Sequence, residues 1–73
     1  MPIVFSEHAK KQLKERNISR ERTVDTVENQ DRMLASFKSR RLRQRRFGDR
    51  ILEVVTVTEG SRITIVTVYY LKK

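Results

Sequence analysis

The sequence predicts an α+β domain in which a two-helix hairpin packs on one face of an antiparallel sheet of three to five strands. Three observations carry this expectation. Two capped segments with helical apolar spacing precede residue 29, the pattern turns β-branched and alternating after residue 31, and FGDR and TEGS punctuate the alternating part as turns. The expected order is β-α-α-β-β-β, with room for one further strand. Two glycines and one proline leave little material for a flexible joint, so residues 1–73 read as a single domain.

PIVF, residues 2 to 5, suits a short edge strand, because proline is tolerated at a strand start or an edge. Ser6 reads as a helix N-cap, followed by Glu7 where the macrodipole favours an acid. That helix is expected to reach about Arg16, with Phe5, Ala9 and Leu13 on one face. Asn17 can stop it and Ser19 can cap a second helix running to about Glu28, whose buried ridge is Val24 and Val27. Beyond Asn29, Gln30 and Asp31, the segments ML.SF, R.LRQRRF, ILEVVTVT and RITIVTVYYL are expected as strands.

A chain of 73 residues hides only roughly 60% of its unfolded surface, so the core must be thin. It has no cysteine and one histidine, which argues against a disulfide framework and a zinc site; neither metal nor cofactor is expected. No apolar run approaches the ~18 residues of a membrane span, and MPIVFSEHAKK lacks a basic leader before a long apolar stretch. The expectation is a cytoplasmic chain with no membrane partner.

Charge is the most informative bulk property: 17 Lys and Arg against 9 Asp and Glu give +8. Residues 1 to 31 are neutral, whereas residues 32 to 50 carry eight basic groups against Asp49 alone. Such a concentration favours a polyanion, since neutralising phosphates releases condensed counterions.

The turn TEGSR implies a two-residue loop, either Glu59-Gly60 or Gly60-Ser61, and both give the same strand parity. Leu52, Val54, Thr56, Ile63, Ile65, Thr67, Tyr69 and Leu71 then share one face, expected against the helices because it holds the larger aliphatics, and Ile51, Glu53, Val55, Val57, Arg62, Thr64, Val66, Val68 and Tyr70 share the open one. In the preceding hairpin, a two-residue Gly48-Asp49 loop would turn Arg41, Arg43 and Arg45 beneath the helices as unpaired buried charge. A three-residue loop, Gly48-Asp49-Arg50, avoids this. It sets Arg45 opposite Glu53, places the three arginines on the open face with Arg62 and Tyr70, and turns Leu42 and Gln44 inward.

F-S-E-H-A at 5 to 9, E-R-N-I-S at 15 to 19, R-F-G-D at 46 to 49 and I-V-T-V-Y-Y at 65 to 70 form a pattern over nearly the whole chain. It resembles the short RelE-like toxins of the RelE/ParE superfamily, particularly the BrnT-like proteins and a related group whose signature begins F-S-x-H-A. The resemblance implies a toxin of a type II toxin-antitoxin system. Its activity would be metal-independent RNA cleavage by attack of a ribose 2′-hydroxyl on the neighbouring phosphate. Its partners would be RNA, an antitoxin and, in some relatives, the ribosome.

Carried onto this sequence, Arg45 and Arg62 would clamp the phosphate with Arg43 assisting, and Tyr70 or Tyr69 would act at the 2′-hydroxyl or stack on a base. Glu53 would be an acid-base group, and His8, within F-S-E-H-A, a titrating one. Arg40, Arg41, Arg43, Arg45, Arg46 and Arg50 would grip the nucleic acid. The pattern departs from its relatives at Gln12, where a basic residue is often found. Blander roles stand beside these: Glu53 as a cross-strand partner of Arg45, Arg16 as a helix-end cap, His8 as a structural residue. The competing functions are a non-catalytic RNA-binding or ParE-like protein-poisoning module and a charged structural domain.

Overall fold

The computed structural model describes residues 2–71. Its elements are β1 (Ile3–Phe5), α1 (Glu7–Glu15), α2 (Arg20–Glu28), β2 (Arg32–Ala35), β3 (Arg40–Phe47), β4 (Arg50–Glu59) and β5 (Arg62–Tyr70), with one tight turn at Phe37–Ser39. The α+β order and the two-helix hairpin agree with the expectation.

Local chemistry sets the helix ends where the sequence marks them. Ser6 Oγ accepts from Ala9 N and Ser19 Oγ accepts from Arg22 N, so each helix begins on a side-chain cap. Asn17, at φ 52°, ends α1 in the left-handed region. Ile18 N then donates to Leu13 O and Asn17 N to Lys14 O, a Schellman closure that turns the chain into α2.

The sheet has five strands in the order β1-β5-β4-β3-β2. It is mixed rather than antiparallel, because β1 runs parallel to β5, with Ile3 beside Ile63 and Phe5 beside Ile65. The core lies between one sheet face and the helices: Leu52, Val54, Ile63, Ile65 and Val68 meet Phe5, Ala9, Ile18 and Val27. Besides Val27, the buried face of α2 holds Thr23 and Thr26, while Val24 is only half-buried. Each threonine hydroxyl donates to the carbonyl four residues earlier, so neither enters the core unbonded.

Two registers differ from those expected. In the β3–β4 hairpin Phe47 pairs with Arg50, Arg45 with Leu52 and Arg43 with Val54, so the loop is the two residues Gly48 and Asp49. Gly48 at φ 66° occupies the first central position, as a type II′ turn requires. Arg41, Arg43 and Arg45 therefore share the helix face, and Leu42 and Gln44 point to the open one. The reason is that the arginines are not buried unpaired. Arg43 Nε donates to Thr56 Oγ1 and its Nη1 to Val27 O, while Arg45 Nη1 donates to Asn29 O and its Nε lies 3.1 Å from Asp25 Oδ2. The open carbonyl end of α2 supplies acceptors that removed the penalty assumed for this register.

The β4–β5 hairpin turns at Gly60 and Ser61, within the expected choices, and Thr56 stands opposite Ile65. A bulge then shifts the register, so that Val55 faces Thr67, Val54 faces Val68, Glu53 faces Tyr69 and Leu52 faces Tyr70. Past the bulge every side chain of β5 changes side. Tyr69 and Thr67 belong to the open face, and Val68 and Tyr70 to the core face, the reverse of the expected assignment. Gln12 stands where the shift occurs: its buried Oε1 accepts from Val68 N at 2.9 Å and from the Thr67 hydroxyl.

Candidate nucleic-acid interface

The sheet face opposite the helices has no helical layer over it among the described residues. Strand parity places there Arg32 and Leu34 from β2, then Arg40, Leu42, Gln44 and Arg46 from β3. β4 adds Ile51, Glu53, Val55 and Val57, and β5 adds Arg62, Thr64, Thr67 and Tyr69. Four guanidinium groups thus surround a strip that is half aliphatic, from Leu34, Leu42, Ile51, Val55 and Val57, and half polar or aromatic.

Near the middle of this face lies Glu53, only 5% exposed although no helix covers it. Its neighbours enclose it: Gln44 Nε2 donates to Oε1 at 2.6 Å, and the Tyr69 hydroxyl donates to Oε2. Burial first, and then the hydrogen bond and charge of Glu53, push the Tyr69 hydroxyl up to about 12, with the Arg16 charge opposing. Tyr69 is therefore a proton donor, not a phenolate, at neutral pH. Arg16 belongs to this cluster although it caps α1, since its Nη1 reaches Val68 O beside Tyr69. Next to Gln44 a groove of about 330 Å³ is lined by Asp31, Arg32, Gln44, Arg45, Arg46 and Ile51, with Arg32 and Arg46 exposed and Arg46 Nε donating to Gly48 O at 2.9 Å.

Residues 5–70 match the family model described as a domain of unknown function, DUF4258. The chain belongs to that family. The matched span contains both hairpins, the bulge, and the Glu53–Tyr69 pair. No curated protein and no solved structure matches the chain.

Of the residues singled out from sequence, the fold brings Arg40, Arg46, Glu53 and Arg62 to the open face. Arg62 sits at its far end, 3.7 Å from Glu59. Arg41, Arg43 and Arg45 are on the other side. Arg45 is held by Asp25 and Asp31, while burial and then the adjacent Arg41 charge lower the Arg43 guanidinium below its ordinary value. Tyr70 is also on the helix side, its hydroxyl accepting from Arg22 Nη1 and its ring 3.7 Å from the Arg50 guanidinium. His8 is exposed on α1, in the helical layer, and is not brought to Glu53.

Arg32, together with Gln44 and Arg16, which read from sequence as an inward strand residue and a helix-end cap, completes the site. Gln44 and Arg32 join it through the β2–β3 register, a consequence of the parity of β3. Arg16 joins because β1 is short, leaving β5 beyond Ile65 as an edge that a side chain from α1 can reach around.

Proposed function

We propose that this chain is an RNA-directed toxin of the RelE-like kind, whose open sheet face takes a phosphodiester backbone. The observation that carries the reading is the Glu53–Tyr69 pair, an ionisable couple on an uncovered sheet face flanked by Arg32, Arg46 and Arg16. Arg32 and Arg46 would receive the phosphate in the groove beside Gln44 and offset charge developing on phosphorus. Glu53 is too enclosed to meet RNA directly, but Tyr69 stands between it and solvent. The Tyr69 oxygen would take the 2′-hydroxyl proton as its own proton passes to Glu53. The 2′-oxygen then bonds to phosphorus, the bond to the 5′-oxygen breaks, and that oxygen leaves with a proton from water; the proton on Glu53 returns through Tyr69 to the hydroxide so formed, restoring the pair. The product is a 2′,3′-cyclic phosphate.

Binding without cleavage is the second reading, favoured by a specific observation: both Glu53 oxygens already accept hydrogen bonds within the protein, as those of a structural acid do. Incubating the purified chain with single-stranded and ribosome-bound RNA in EDTA separates the two. For an enzyme, cyclic-phosphate fragments accumulate, and Tyr69→Phe and Glu53→Gln slow cleavage by about 10²- to 10⁴-fold while affinity holds within a few fold. RNA that is bound but intact in all three proteins identifies a binding module. RNA that is not bound at low salt removes both readings.

A further inference from the structure

We infer that Phe37 is a stacking platform for an unpaired base of single-stranded RNA, an inference that rests on the RNA reading above. Phe37 is 87% exposed at the tip of the β2–β3 connection, far more than Met33 at 48% or Val4 at 42%. An aromatic ring in water forgoes the burial that ordinarily places it in a core.

The loop that presents it is tightly closed. Ser36 N donates to Arg40 O at 2.9 Å, and the amide of Arg40 returns to Phe37 O. Between these bonds Lys38 (φ 55°, ψ 46°) and Ser39 (φ 62°) occupy the left-handed region in succession, and neither is glycine. Two successive left-handed residues are what a type I′ hairpin turn requires, built here without the usual Asn or Gly, and the turn fixes where Phe37 stands. Here the shape leaves the Phe37 ring standing clear of the sheet.

The surroundings select the ligand. Lys38, Arg40 and Arg41 follow Phe37 within four positions. Arg40 is on the open face, four residues along β3 from Gln44, roughly 13 Å at the rise of a strand. A ring for one base and cations for the flanking phosphates suit a single strand, whose bases are free to splay; a duplex hides them. A protein partner fits less well, because Phe37 is flanked along the chain by Ser36, Lys38 and Ser39, polar or charged residues rather than the apolar ones of a docking patch.

The test uses the full chain with Phe37→Ala and Phe37→Trp, a single-stranded uridine-rich oligonucleotide, and a duplex RNA of the same length. Stacking lost in Phe37→Ala weakens single-strand binding by about 5- to 100-fold. The slope of log K against log salt stays that of the parent, because no phosphate contact is removed. Duplex affinity and the thermal midpoint hold as well, and the Phe37→Trp protein keeps its affinity with its fluorescence quenched by the single strand. A Phe37→Ala protein that binds the oligonucleotide like the parent, or an unquenched Phe37→Trp protein, overturns the inference while leaving the RNA reading in place. A flattened salt slope also overturns it, since the loss would then come from the neighbouring cations. A parent chain that binds no RNA fails the reading beneath it.

Discussion

At Tyr69, burial and the Glu53 carboxylate act in one direction, both favouring the protonated phenol. The linkage sign follows. A folded-state value raised to about 12, against about 10 for an unfolded tyrosine, contributes stability that is fully present below pH 10 and disappears as pH rises toward 12. Denaturant titrations at pH 9 and pH 11 are expected to show a larger loss for the parent than for Tyr69→Phe. Absorbance of tyrosinate against pH is expected to lose its latest step in that variant. A Tyr69 that ionises near pH 10 would mean the Glu53 contact does not persist in solution, and the proton relay would lose its anchor. The substitution also bears on RNA cleavage through a single atom, because phenylalanine keeps the ring and removes only the hydroxyl.

β3 is an element whose two faces do different work, and its alternation makes that separable. Arg43 and Arg45 face the helices and bond the carbonyl end of α2, whereas Arg40 and Arg46 face the open side. Arg45→Met is expected to cost about 1–2 kcal/mol, at the lower end because its side chain is one-third exposed. Arg43→Met is expected to cost less, since it also removes a guanidinium repelled by Arg41. Both should leave the salt slope of RNA binding unchanged, because Arg43 lies on the helix side and the Arg45 charge, though at the groove wall, is already met by Asp25 and Asp31. Arg40→Gln and Arg46→Gln should leave stability near the parent's and each lower that slope by about one unit. Equal slopes for all four variants would disconnect strand parity from binding.

The same strand shows what was legible in the letters. As helix-end residues Ser6, Asn17 and Ser19 engage backbone groups within five residues, which a linear reading can place, although the Ser6 hydroxyl also donates to Val66 O across the fold. Gly60 and Ser61 likewise fix the last turn. The parity of β3 is set by Val27 O, Asn29 O and Asp25, contributed by an element 16 to 20 residues away. The bulge that turns Tyr69 outward is bonded to Gln12, 55 residues earlier in the chain. Neither partner has a periodicity that would announce it. Glu53 was identifiable as an acid in a run of aliphatics, but its partners, Gln44 and Tyr69, became evident only with both registers known.

Across the whole molecule the charge of +8 opposes compaction, and the helix layer withstands it with a core in which Leu52, Ile65, Val54 and Val68 are the largest fully buried apolar side chains. Such a thin core gives bound ligand unusual leverage on stability. A ligand that binds only the folded chain adds about 2.7 kcal/mol when present at a hundred times its dissociation constant. For a domain of this size each kcal/mol moves the unfolding midpoint by about 4–8 °C, so saturating single-stranded RNA should raise it on the order of 10–20 °C at low salt. The rise should shrink as salt increases, because the free energy comes largely from counterion release, and it should be smaller in an Arg40→Gln/Arg46→Gln double variant. Inorganic phosphate at the same phosphate concentration lacks both the linked charges and a base for Phe37, and should shift the midpoint far less. If phosphate and RNA stabilise equally, the positive field merely condenses anions, and the open face is not a site built for a strand. If neither does, the arginines of β3 serve the fold alone, and the function lies elsewhere on the molecule.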